Sequence, residues 1–237
     1  MNLLLLGPDE IAADGTAFVG GERLAHLQDV QRFAVGDRLR VGELHGRLGQ
    51  GEILQLDDRQ ARLHVTLSDP PPPPLPCTLL LALPRPKMLK RILVDATSMG
   101  VKRICFVNSY RVDKSFWSSP LLAPAALAEK CRLGLEQAID TVLPEITLHP
   151  RFRPFVEDEL PALVAGTQAL VAHPAGTREC PRGTTRPTTL AVGPEGGFIP
   201  FEIELLRDAA GFEAVTLGTR ILRVDTAVPA LLGRLFG

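Results

Sequence analysis

The sequence predicts a mixed α/β protein, a small β-barrel of about 70 residues followed by an open, mainly parallel α/β sheet. Three observations predict it. The run "SDPPPPPLP", Ser68 to Pro76, divides the chain. Before it, apolar residues recur with a period of two. After it, strands that are apolar on both faces alternate with helical patterns.

The proline run sets the boundaries. Six prolines in seven residues lack the amide hydrogen and have a fixed φ, so neither a helix nor a central strand accommodates them. Such a run favours extended polyproline II and acts as a semi-rigid spacer. The predicted organisation is residues 1–69 as one domain, 70–76 as a linker and 77–237 as a second domain.

In the first domain, "TAFVG", "DRLRVG", "GRLGQGEILQL" and "ARLHVTLS" read as strands. In the last, Leu63, Val65 and Leu67 share one face while Arg62, His64 and Thr66 share the other. Gly42, Gly46, Gly49 and Asp57-Asp58 supply turns, and "ERLAHLQDV" reads as a short helix. In the second domain, "CTLLLAL", "RICFVN", "EITLH", "QALVAH", "TLAVG" and "EAVTL" read as strands. "KMLKRILVDATSMG" is a helix closing on Gly100. "SPLLAPAALAEKCRLGLEQAI" opens with Ser119 as N-cap and Pro120 at the first helical position. "PFEIELLRDAAG" is a third helix, and a fourth follows Arg223, with Pro229 either kinking it or delaying its start. Strands buried on both faces and alternating with helices argue for a parallel sheet.

Composition excludes several classes. Hydrophobic residues are 45% and charged residues 22%, as in soluble globular proteins. The opening "MNLLLL" has no basic region before it and no small-residue cleavage site after it, so no signal peptide is read there, and no apolar run approaches a membrane span. Cys77, Cys105, Cys131 and Cys180 lack metal-ligand spacing, so no metal site is expected. A reduced, cytoplasmic protein is the expectation. The formal charge of −1 hides an asymmetry: a cluster at Arg85, Lys87, Lys90, Arg91, Lys102, Arg103, Arg111 and Lys114 is opposed only by Asp95 and Asp113. It is either a solvated helix face or a phosphate-binding patch for nucleic acid, with Arg85, Lys87, Lys90 and Arg91 as the RNA-binding candidates.

Two glycine turns carry the candidate chemistry. "LAVGPEGGF" ends a strand in the turn Gly193-Pro194-Glu195-Gly196-Gly197, and "EAVTLGTRILR" ends another at Gly218-Thr219. Ligands of open α/β sheets bind beyond the carboxyl ends of strands. Glycine permits positive φ and close approach of backbone to ligand. Phosphate-binding signatures are absent, and Glu195 stands where a phosphate would favour lysine. A tight strand-to-helix turn with no ligand is the other reading. The two turns could wall one pocket, where apolar Leu217, Ile221 and Leu222 suit a flat aromatic ring such as adenine.

These motifs resemble a known family. "GPEGGF…E" followed by "LGTRILRVDTA" is similar to the RsmE-type 16S ribosomal RNA uracil-N3 methyltransferases of the SPOUT superfamily. The likeness extends to His173-Pro174, to Glu136-Gln137 with "PEI" at Pro144–Ile146, to Lys87-Met88 before a helix ending in "MGV", and to Gly36-Asp37. The resemblance implies a PUA-like N-terminal barrel and a SPOUT domain with a deep trefoil knot. It implies a homodimer, S-adenosylmethionine as cofactor without a metal, and 16S rRNA in the small ribosomal subunit as partner. The implied cofactor-binding residues are His173, Gly193, Pro194, Glu195, Gly196, Leu217, Gly218, Ile221, Leu222 and Arg223. Arg223, with Arg220 behind it, is the implied catalytic group, and an ion pair with Asp225 is its alternative. The chain departs from the family at Val224, Asp225 and Asp140, all near substrate-facing motifs. Another rRNA or tRNA position, or a non-catalytic RNA-binding protein, are the alternative functions.

Overall fold

The computed structural model describes residues 2–237. They form two compact units. One holds the chain up to Pro73 together with Arg132–Leu143; the other holds Pro74–Cys131 and Pro144–Gly237. The sequence reading places residues 132–143 with the second domain, but they pack in the first.

The first unit is a five-stranded sheet in the order β1 (Leu4–Leu6), β3 (Arg38–Glu43), β4 (Leu48–Leu56), β5 (Ala61–Asp69), β2 (Thr16–Val19). The β1–β3 pair is parallel and the other pairs are antiparallel. The period of two in β5 is realised, since Leu63 and Val65 are buried while Arg62, His64 and Thr66 are exposed. The predicted short helix is α1 (Gly21–Ala25), which passes into one π-turn at His26–Val30. Strand β1 is not anticipated, because its leucines do not alternate. Leu4 and Leu6 enter the core formed with β3, β4 and β5, while Leu3 and Leu5 pack on Leu135. Both faces are covered, which erases the alternation.

The second unit is a seven-stranded sheet in which every pair is parallel. Its order is β10 (Arg178–Glu179), β12 (Glu213–Thr216), β9 (Gln168–Ala172), β11 (Thr188–Val192), β6 (Cys77–Ala82), β7 (Arg103–Val107), β8 (Glu145–His149). The central strand β11 is buried at every residue. At the sheet edge, β8 has no fully buried residue, so the expectation of apolar burial on both faces fails there. All four cysteines are buried and free, and burial pushes the Cys77 thiol up to about 12.

Helices α2 (Pro86–Ser98), α3 (Pro124–Ala138), α4 (Phe152–Pro154), α5 (Leu160–Val164), α6 (Pro200–Ala210) and α7 (Val224–Phe236) follow. Ser119 caps a short 3-10 turn, Pro120–Leu122, accepting from the Leu121 amide at 3.3 Å, while α3 starts only at Pro124. Pro229 lies inside α7, so it delays nothing. No helix among the described residues is long and apolar enough to cross a membrane.

Candidate active site

Parallel pairing brings the carboxyl ends of β9, β11 and β12 to one edge of the sheet. Ala172 lies level with Val192 and with Val215 in the ladder. The segments that follow, from His173, Gly193 and Leu217, therefore emerge side by side. They surround a cavity of about 380 Å³, within the roughly 300–1,000 Å³ usual for small-molecule sites.

Each segment is shaped by its own backbone. The His173 amide donates to the Val215 carbonyl at 2.9 Å, and His173 Nδ1 accepts from the Ala175 amide at 3.2 Å. That ring nitrogen serves the turn. In the second segment the Gly197 amide donates to the Pro194 carbonyl at 2.7 Å, and Gly197 has φ +73°. A Cβ on Gly193 would lie 2.8 Å from the Phe198 nitrogen, so the turn itself requires that glycine whatever binds beside it. In the third, Gly218 has φ +118°, a conformation that L side chains rarely adopt.

Nine of the ten expected cofactor-binding residues line this cavity, namely His173, Gly193, Pro194, Glu195, Gly196, Leu217, Gly218, Ile221 and Leu222, and so does Arg220. Arg223 does not. Its Nη2 donates to Asp225 Oδ2 at 3.1 Å and contacts Met88 Sδ at 3.3 Å. The same carboxylate oxygen accepts from Arg91 Nη1 at 3.3 Å. Glu195 is divided between two surroundings: it lines the cavity, yet its Oε1 accepts from the Arg85 amide at 3.1 Å.

The comparisons with known proteins bear on this arrangement. The sequence pattern of the RNA methyltransferase domain family matches residues 71–235. "Ribosomal RNA small subunit methyltransferase E" of Treponema pallidum is 30% identical, covering 97% of this chain and 88% of that protein. The chain belongs to this RNA methyltransferase family. The protein of the same name from Mycobacterium tuberculosis is 31% identical over 92% of this chain and 84% of its own length. Among solved structures, the Neisseria gonorrhoeae ribosomal RNA small subunit methyltransferase E bound to S-adenosyl methionine superposes with a TM-score of 0.74. It is 22% identical and covers 98% of this chain and 95% of that one. A Legionella pneumophila protein in complex with the cofactor SAM gives the same TM-score at 20% identity, covering 98% and 95%.

In this RNA methyltransferase Arg111 and Phe198 line the cavity without being expected there, and Glu202, foreseen only as part of the motif, braces the segments beside it. Arg111 lines the cavity, donates from Nη1 to the Gly196 carbonyl, and lays its stem where a Cβ on Gly196 would fall, 2.8 Å from Arg111 Cδ. Phe198 is buried at the cavity wall. Glu202, the trailing acid of "GPEGGF…E", is only 3% exposed. Its Oε1 accepts from the Tyr110 amide at 2.8 Å and its Oε2 from the Ile199 amide at 2.9 Å. It thus joins the loop after β7 to the start of α6. The family motif pointed to Glu202 but not to its partners, which lie far away in sequence.

The other candidates lie elsewhere. Arg85, Lys87, Lys90 and Arg91 are all exposed at or near the start of α2. Lys87, Lys90 and Arg91 share one face by their spacing. Glu136 and Gln137 belong to the first unit, where burial pushes the Glu136 carboxyl above its ordinary range against the opposing pull of Arg132 and Arg23. Asp140 is buried there, and its Oδ1 accepts from the Val142 amide at 3.0 Å. Among the described residues no group of His, Cys, Asp and Glu could hold a metal ion.

Proposed function

We propose that this protein is an S-adenosylmethionine-dependent methyltransferase of small-subunit ribosomal RNA, acting on N3 of a uridine in 16S rRNA. The observation that carries the reading is the convergence of three glycine- and proline-shaped segments on one cavity in a chain of the RNA methyltransferase family. The names of the relatives support small-subunit ribosomal RNA as the substrate, and the ligands of the two structural neighbours support the cofactor.

The cavity fits the cofactor. Backbone from 193–197 and 217–218 lines the cavity, Leu217, Ile221 and Leu222 would give an apolar wall for a flat ring, and Glu195 would offer negative charge to a sulfonium. When bound, the cofactor supplies an electrophilic methyl group. The protein's own task is to orient the base and to stabilise the anion that develops as the N3 proton leaves. Arg220, which lines the cavity, would stabilise that charge. Arg223, turned onto Asp225 beside Arg91, would meet RNA phosphate together with Arg85 before α2 and Lys87 and Lys90 on it. A paired uracil has its N3 blocked, so the target is single-stranded or flipped out.

The finer architecture belongs to the same proposal. The first unit acts as a PUA-like RNA-binding barrel and the second is a knotted SPOUT domain. Supporting the knot, the segment after β10 grips α7: the Gly183 and Thr184 amides donate to the Arg234 and Leu235 carbonyls at 3.2 and 2.6 Å, and Arg234 Nε donates to the Cys180 carbonyl at 2.6 Å. The active form is a cytoplasmic homodimer. Val224 and Asp140 motivate a second reading, methylation at another rRNA or tRNA position. The test is mass spectrometry of nucleosides from rRNA of a deletion strain treated with the protein and labelled S-adenosylmethionine. Label in 3-methyluridine of 16S rRNA is expected. Label in another nucleoside favours the second reading, and no label in any RNA overturns both.

A further inference from the structure

We propose that Tyr110 is a stacking platform that holds a base of the single-stranded RNA substrate beside the cavity. The inference rests on the RNA methyltransferase reading and names a substrate contact within it. Tyr110 is the only tyrosine of the chain and is 80% exposed. A single exposed aromatic is ordinary on a protein surface. Tyr110 is distinguished by how firmly its backbone is held.

Its amide donates to the buried Glu202 carboxylate, whose other oxygen is spent on Ile199. Ser109 before it is 4% exposed, and Asn108 Oδ1 accepts from Trp117 Nε1 at 3.0 Å. Arg111 after it is fastened to the Gly196 carbonyl. The main chain is thus anchored on both sides while the ring stands in water. With its main chain so held, Tyr110 has only its side-chain rotation left to lose when a base lands on the ring. It also follows β7, whose carboxyl end shares the sheet edge with the cavity, and its neighbour Arg111 lines that cavity. Arg111 and Lys114 add positive charge for the phosphates, while Asp113 is occupied by the Ser115 amide and hydroxyl at 2.9 and 2.8 Å. Aromatic surface flanked by cations is the chemistry that binds single strands, since every base offers a π-face. Uracil presented at N3 must be unpaired and therefore needs a new stacking partner.

The test uses a short oligouridylate carrying one 5-iodouridine. Irradiation should attach it to the tryptic peptide Ile104–Arg111, which contains Tyr110. Tyr110→Ala should abolish that cross-link and weaken oligouridylate binding by about 5- to 150-fold, with S-adenosylmethionine affinity unchanged. Tyr110→Phe keeps the ring and should restore most of the binding. Phe201→Ala, removing an exposed aromatic of α6, should change neither. If the wild type binds both ligands but cross-links elsewhere, or Tyr110→Ala binds as tightly, Tyr110 is not the platform and the methyltransferase reading stands. If the wild type binds neither, both fall.

Discussion

Gly193→Ala tests whether the turn after β11 is tight because of its own backbone. The added Cβ would lie 2.8 Å from the Phe198 nitrogen and 3.1 Å from the Gly197 carbonyl carbon. Comfortable contacts between such atoms start near 3.5 Å, and neither neighbour is a side chain that can rotate away. The turn must therefore shift by several tenths of an ångström. Overpacking of this kind costs about 1–3 kcal/mol. At about 2–4 °C per kcal/mol for a chain of this size, the melting temperature should fall by about 2–12 °C. Gly196→Ala is the matched control. Its Cβ would meet Arg111 Cδ at 2.8 Å, the far part of a flexible side chain. Arg111 is exposed, so its side chain can yield and trade its bond to the Gly196 carbonyl for water, and stability should change by less than about 0.5 kcal/mol. Calorimetric melting of both variants, followed by titration with S-adenosylmethionine, reads the two effects. Gly193→Ala should lose both stability and affinity. Equal melting of Gly193→Ala and wild type, or equal losses in the two variants, would refute the reasoning.

Other expectations concern charge and buried partners. Glu202→Ala leaves the Tyr110 and Ile199 amides without their acceptor and should cost about 1–3 kcal/mol, read from the urea midpoint. Burial, and then repulsion from Asp225, pushes the Asp95 carboxyl above its ordinary value. A raised carboxyl favours the folded state at low pH and loses that contribution as pH rises through the raised value, so the penalty is complete at neutral pH. Asp95→Asn should therefore raise the melting temperature at pH 7 by about 1–2 °C and leave it unchanged at pH 3. Removing Lys87 and Lys90 together should lower the slope of log affinity for RNA against log salt by about 2.

The legible parts of this fold are those specified locally. Alternation marks β5, continuous apolar runs mark β6 and β11, and proline with glycine marks the boundary and the site turns. Arg132–Leu143 misled because helical spacing shows that a face is buried but not by what; Leu135 finds Leu3 and Leu5. Arg111 as a site residue, and the partner of Glu202, were illegible because Gly196 and Tyr110 lie 85 and 92 positions away from them. Arg223 was half legible: the acid two residues on that draws it from the cavity was visible as an alternative, but the second arginine on that acid, Arg91, was not.

The strand order has a consequence for biosynthesis. Strand β6 waits for β11, its partner from Thr188 onward, and the cavity lacks a wall until Leu231 is in place. At roughly 5–20 residues per second, a ribosome needs about 8–30 s to travel from Cys77 to Leu231. For about the first 6–23 s of that interval, until Val192 is made, the leucines of β6 have no neighbour on their β11 side. The nascent chain therefore exposes an unpaired apolar strand edge to chaperones for seconds, and ligand binding can contribute to its stability only once Leu231 is made.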